Sequence, residues 1–435
     1  MDWDFDLLET WDKKISDLAK QHGLDWFPIT YEVCDYYSMI GHMAYHGMPT
    51  HYGHWSYGKS FERTRTMYNL GMEGLPYELI INSKPSIAYL MRENPAYLQI
   101  LIMAHCVGHS DFFKNNRMFK NTRPETIVGR LRSAKKRIQS YVEDPTIGIE
   151  EVEKVLDAAH AVQFQNYRYG QRKKSRKELV KKYTKLIKQD ETGEYVNFDL
   201  EKVPLEPDYD LLGFVCNHSR SIPNWKRDVI NIVRDGAEYF MPQIQTKIMN
   251  EGWASYWHYR LCHELNLPQE WHIPFIKMHN QVIRPHVGGL NPYHLGFVIF
   301  QDIEKRYGLE ECFIARESSH DVAFIRQYLT RELCEKLGLF SFSEKKKRGF
   351  TIDEIHDEDG WEKIKESLIT NIGTNGMPIV YVDEIEEDNT LIIRHEHDGR
   401  DLELDHADEV VKHVKVLWGD EVKLFTLIEE EMWEI

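Results

Sequence analysis

A chain of 435 residues, 42% hydrophobic and 12% aromatic, has enough apolar side chain to bury a large core, and its length suits two domains better than one. Its 70 acidic against 54 basic residues leave a formal charge of −16, which argues against nucleic acid and anionic membrane surfaces as partners. The six cysteines, Cys34, Cys106, Cys216, Cys262, Cys312 and Cys334, form no C-x-x-C pair and read as reduced thiols, not as a disulfide framework or a cysteine-ligated zinc site. The acidic, amphipathic N-terminus lacks the basic flank and apolar stretch of a secretory signal, and no apolar run approaches the ~20 residues that span a bilayer. A cytoplasmic protein without a membrane span is expected.

In chain order, residues 1–22 predict an amphipathic helix, and Trp26-Phe27-Pro28 with Tyr31-Glu32-Val33 predicts the start of another that contains Tyr36 to Ile40. Glycines, Pro49 and clustered histidines and aromatics between Gly47 and Gly74 predict irregular structure. Tyr77 to Asn82 reads as a short buried strand closed by Ser83-Lys84-Pro85, and Asn94-Pro95 offers a cap and a first-turn proline for the following helix. Residues 124–140 and 150–169 are helical by pattern, and 171–189 is a solvated basic helix or linker. Pro242 predicts a break, after which Gln243 to Leu265 forms one long helix. Beyond Leu339 the pattern changes to short strands, Ile379–Val382, Thr390–Arg394, Leu402–Leu404 and Val422–Leu427, with helices near 359–370 and 406–417. The fold class is therefore mainly α, with a helical domain over 1–340 and a small α+β domain over 345–435.

The chemistry concentrates on two helices. After Pro95, Leu98, Leu101, Ile102, His105, His109 and Phe112 share one face, so two imidazoles one turn apart could chelate a single cation. On the later helix Ile248, Glu251, Ser255, His258 and Cys262 form a buried stripe, and a carboxylate there needs a cation or several donors. His105, His109 and Glu251 are thus the expected ligands of zinc or another divalent transition metal, in the two-helix logic of zincin hydrolases, whose three protein ligands leave a fourth position for water. Such hydrolases carry a glutamate directly after the first histidine, but Cys106 stands here, so Glu78 or His258 is expected to move protons instead. His42, His46, His51 and His54 are a rival metal set without a buried carboxylate. His395 and His397 are expected to face solvent together on one strand.

Several separated segments carry a resemblance: GHWSYGKSFE at 53–62, YELIINSKPSIAYLM at 77–91, AHCVGHSDFFKNN at 104–116, PQIQTKIMNEGWASYWHYR at 242–260, GLNPYHLG at 289–296 and DVAFIRQYLT at 321–330. Through them the chain resembles the SpoVR family, stage V sporulation protein R and its relatives. The resemblance implies a part in making the peptidoglycan cortex of the endospore, though the family also occurs in bacteria that do not sporulate, beside a serine kinase and a von Willebrand-type-domain protein that are plausible partners.

Together these readings give a zincin-like, metal-dependent hydrolase of an amide or peptide bond in peptidoglycan or its precursors. Asn82 and Tyr89 would orient the substrate, and His54 and Lys59 would bind its carboxylate. The rival expectation is a non-enzymatic assembly factor for cortex synthesis, in which a metal-free His/Glu network stiffens the core.

Overall fold

Asp4 accepts a hydrogen bond from the Leu7 amide and so starts helix α1, Phe5–Gln21, whose Leu8, Trp11, Ile15 and Ala19 bury one face. The computed structural model describes residues 3–70, 78–189, 200–285, 290–339, 341–345, 349–354 and 360–435. Next come β1 (Ile29–Cys34), α2 (Tyr36–Ala44) and α3 (Trp55–Asn69), then β2 (Glu78–Ile81), β3 (Ser86–Met91) and α4 (Ala96–Asn115). Helices α5 (Ile127–Glu143), α6 (Gly148–Val162), α7 (Arg176–Gln189), α8 (Leu211–His218), α9 (Asn224–Gln245) and α10 (Lys247–Glu264) follow. The chain continues through α11 (Gln269–Val282), α12 (Pro292–Tyr307), α13 (Leu309–Ser318), α14 (Asp321–Tyr328) and α15 (Arg331–Leu337). A hairpin of β4 (Ser341–Lys345) and β5 (Gly349–Glu354) precedes α16 (Gly360–Asn371), β6 (Val380–Ile385), β7 (Leu391–His395), α17 (Leu404–Trp418), β8 (Val422–Ile428) and β9 (Glu431–Glu434). Among the described residues no helix is long and apolar enough to cross a membrane.

Four local expectations are corrected. Tyr31-Glu32-Val33 belongs to β1, because Ile29–Cys34 pairs in parallel with β3, a partner more than fifty residues away. The stretch expected to be irregular holds α3, capped by His54; its last residues, 71–74, and Tyr77 of the expected strand lie outside the described residues. Pro242 sits inside α9, and the break falls at Thr246, whose hydroxyl bonds the Pro242 carbonyl before α10 begins. Leu402–Leu404 forms no strand and leads instead into α17.

By packing, the chain divides into two units, Met1–Lys135 with Pro242–Asn375, and Lys136–Met241 with Gly376–Ile435. Each is built from two separated stretches, a different partition from the contiguous one expected. In the first unit the sheet runs β1-β3-β2, with β2 antiparallel to β3. Helix α4 packs under all three strands and against α10, which also packs on α12. In the second unit a four-stranded sheet, β6-β7-β8-β9, is joined by the α17 crossover between parallel β7 and β8, and α17 packs on α6.

Candidate metal centre

Helix α4 is buried on every side, with all residues from Leu98 to Phe113 enclosed, so its histidines lie in the core and not on one apolar face of an otherwise wetted helix. Close helix contact is made possible by glycine. A Cβ on Gly108 of α4 would come within 2.7 Å of the Ala254 backbone on α10, and one on Gly252 of α10 would lie 2.4 Å from the Gly296 backbone on α12. These approaches bring the backbone of α10 against both neighbours, one residue from Glu251. Asp321 of α14 fixes the start of α10, accepting the Ile248 amide at Oδ2 and the Met249 amide at Oδ1, each at 2.9 Å.

The result is a convergence of four side chains. Ligand atoms of Glu78, His105, His109 and Glu251 all lie within 4.8 Å of one another, the only such group of three or more potential ligands among the described residues. His105 Nε2 is 3.5 Å from Glu78 Oε1 and 3.8 Å from Glu251 Oε2, and His109 Nε2 is 3.3 Å from the same Glu251 oxygen. The imidazoles are the floor, at 2% and 5% side-chain exposure, and the carboxylates the mouth, Glu78 at 12% and Glu251 at 16%, so access from solvent passes the glutamates first.

The ring nitrogens behind the cluster are engaged. His109 Nδ1 lies 2.9 Å from Asn250 Oδ1 and must donate to it, which turns an Nε2 lone pair toward Glu251 unless a second proton sits there. His105 Nδ1 lies 2.7 Å from His258 Nδ1, and His258 Nε2 lies 2.8 Å from His279 Nδ1. In front, His105 Nε2 and Glu251 Oε2 are sealed from solvent and share no well-formed hydrogen bond, the nearest imidazole nitrogen to that oxygen being His109 Nε2 at 3.3 Å. Two buried polar atoms facing each other in this way satisfy neither group, and a cation between them would satisfy both. The donor set, two imidazoles and two carboxylates, fits a divalent transition metal.

The electrostatics make the same demand for positive charge. Burial would raise the Glu251 carboxyl, but the facing His109 and His105 outweigh it and hold that carboxyl well below the usual range. Burial would likewise lower His109, and Glu251 with Asn250 and Glu78 reverses the sign and raises it. A proton on His109 therefore balances Glu251 when no metal does so. Burial above all, with His105 and His279 next, pushes His258 far down, and burial pushes His279 down to about 4, so both are neutral at physiological pH.

Cys106 is fully buried, and burial together with Glu78 pushes its thiol well up; it is a neutral core side chain and no replacement base. Glu78, expected to move protons, stands within the cluster itself, whereas His258 stands behind His105, away from the mouth. Asn82 and Tyr89, expected to orient substrate, are both 0% exposed. Asn82 donates to Thr122 Oγ1, and Tyr89 stacks on His42 at 3.9 Å, so neither offers a surface to a substrate. His54 caps α3, its Nδ1 accepting from the Ser56 amide and meeting Ser56 Oγ at 2.7 Å, and Lys59 rides over the Trp55 ring; neither belongs to the cluster. The rival histidines do not converge as a ligand group; His51 packs instead on Tyr52 and Tyr57. His395, expected in solvent, is buried at the end of β7 with Nδ1 3.0 Å from Thr426 Oγ1, because that strand is internal to its sheet; His397 bonds Asp401 beyond it.

Three residues escaped the spacing argument. Tyr293 of α12 stacks near His105, and burial with the nearby Glu251 and Glu78 pushes its phenol well up. Asn250 and His279 hold the outer faces of the histidines. For the first two a signal existed, since Asn250 precedes Glu251 and Tyr293 lies in the GLNPYHLG segment; for His279, on α11, there was none.

A buried His/His/Glu cluster with a second glutamate at its mouth, carried by glycine-packed helices under a small sheet, defines a protein with a candidate metal centre in a mainly helical fold. Comparison with known proteins gives its kinship: the chain belongs to the SpoVR family, matching "SpoVR like protein" over residues 2–377 and "SpoVR-like C-terminal domain" over 378–429. It is 34% identical to the Escherichia coli (strain K12) protein YcgB, itself described as uncharacterized, over 97% of this chain and 92% of that one. No solved structure matches it.

Proposed function

We propose that this protein is a metal-dependent hydrolase with a zincin-like site, cleaving an amide or peptide bond of peptidoglycan or a cytoplasmic precursor of it during spore cortex formation. The observation that supports this reading most directly is the four-ligand group itself, in which the sealed atoms His105 Nε2 and Glu251 Oε2 face each other at 3.8 Å without a hydrogen bond between them. His105, His109 and Glu251 would hold the metal. A bound zinc-type ion supplies Lewis acidity and a water whose pKa is lowered to ~7.

The chain's own residues do the rest. Glu78, at the mouth, accepts the proton of the attacking water and returns it to the leaving amine. Tyr293, whose phenol stays protonated, donates a hydrogen bond to the developing oxyanion. His54 and Lys59 remain proposed contacts for a substrate carboxylate, and a serine kinase and a von Willebrand-type-domain protein remain proposed partners. The competing reading, a non-enzymatic assembly factor with a metal-free core network, draws on the imidazole hydrogen bonds already made by His105, His109, His258 and His279.

Elemental analysis of untagged protein purified without chelators decides between them. The hydrolase reading expects near-stoichiometric transition metal in the wild type and its loss in His105→Ala and Glu251→Gln, with the helical fold retained. A folded wild type without metal would overturn it in favour of the assembly factor.

A further inference from the structure

Resting on the metal reading, we infer that His258 and His279 are positioning residues that set the tautomer of His105 and thereby make its Nε2 a metal ligand. The three imidazoles form a line in which each internal contact holds one proton: His105 Nδ1 to His258 Nδ1 at 2.7 Å, and His258 Nε2 to His279 Nδ1 at 2.8 Å. His258 meets a neighbour at both ring nitrogens and as a neutral ring carries one proton, so if it accepts at one contact it must donate at the other.

With protons directed outward, His105 donates from Nδ1 to His258, His258 donates from Nε2 to His279, and His105 Nε2 presents a lone pair to the space between Glu78 and Glu251. With protons directed inward, His279 donates to His258, His258 donates to His105, and His105 Nε2 carries a hydrogen aimed at the carboxylates, 3.5 and 3.8 Å away. Only the outward arrangement binds a cation. His279 can adopt it because its ring is enclosed by Tyr259, Phe275 and Phe297, none of which demands a particular tautomer. His258 thus acts through His105 and does not meet substrate, as a second imidazole behind a ligating histidine does elsewhere with carboxylates or carbonyls.

The test is a competition titration with zinc(II) on the full chain, comparing wild type with His258→Gln, His258→Leu and His279→Phe, alongside nitrogen-15 spectra of labelled histidines. Glutamine can still accept from His105 and donate to His279, so His258→Gln should bind within a few-fold of wild type. His258→Leu and His279→Phe should lose roughly 10–100-fold in affinity. In metal-loaded wild type the His105 signal should report a protonated Nδ1. Leucine and phenylalanine variants that bind as wild type does, or a His105 protonated at Nε2 in the loaded protein, overturn the inference. A wild type that takes up no zinc overturns the metal reading beneath it, a result distinct from either.

Discussion

Among single residues, buried histidines outside the cluster carry a measurable charge cost. His51 packs among Tyr45, Tyr52 and Tyr57, and burial, the largest influence, pushes its pKa from 6.5 down to about 4. Since the folded value lies below the unfolded one, unfolding takes up a proton in that window, and stability present above pH 6.5 is lost as the pH falls toward 4. Replacing His51 with Asn should flatten the dependence of unfolding free energy on pH, measured by denaturant titration, by roughly 3 kcal/mol across that window. An unchanged slope would show that His51 gains its proton without cost in the folded state. At this scale His105, His109 and Glu251 were legible because helical spacing is local and a carboxylate on an apolar stripe is conspicuous. Glu78 was named as a proton carrier from its place before α4, but its standing among the ligand atoms was not legible, because that depends on how β2 lies on α4, and the partner His279 depends on how α11 packs.

At the scale of elements, the site owes its dimensions to missing side chains. Gly252 is a poor helix residue by propensity, and on an exposed helix Gly→Ala stabilises by roughly 0.5–1 kcal/mol. Here the added methyl would strike the Gly296 backbone at 2.4 Å, where no side-chain rotation can relieve it. Gly252→Ala should therefore destabilise by about 3 kcal/mol and, on the proposed metal reading, weaken zinc binding as α10 shifts away from α12, measurable together by thermal melting and metal titration. A variant as stable as wild type would mean that the helices slide freely. Helices with strong local patterns, such as α1, α5 and α6, could be read from sequence. Strand β1 could not, since its parallel partner β3 is remote, and Pro242 did not end α9 because the helix tolerates one missing amide and closes at Thr246.

For the molecule as a whole, the second unit depends on residues far apart in sequence. Trp418 of α17 is fully buried; its indole donates to the Asn389 carbonyl, and its own carbonyl accepts the Ser219 hydroxyl. Gln165 likewise holds the Val380 amide, and Asp208 bridges to Val382. Trp418→Ala should cost about 3–5 kcal/mol. Hydrogen exchange should quicken in α6, α8 and α17 while α4 and α10 keep their protection; equal loosening of all five helices would mean that the units unfold as one. Length and composition predicted a large core but not that residues 136–241 would pack with the stretch past Gly376, because composition carries no record of topology.

That interleaving bears on the order in which the protein can be made. Residues 136–241 leave the ribosome before the strands that complete their unit, which begin past Gly376. At ordinary rates of translation they wait on the order of ten seconds with apolar faces of α6 and α8 uncovered. The nascent chain is thus exposed to misassociation in its middle, and the segment most in need of a chaperone's protection is the one flanked on both sides by the sequence that builds the His/Glu cluster.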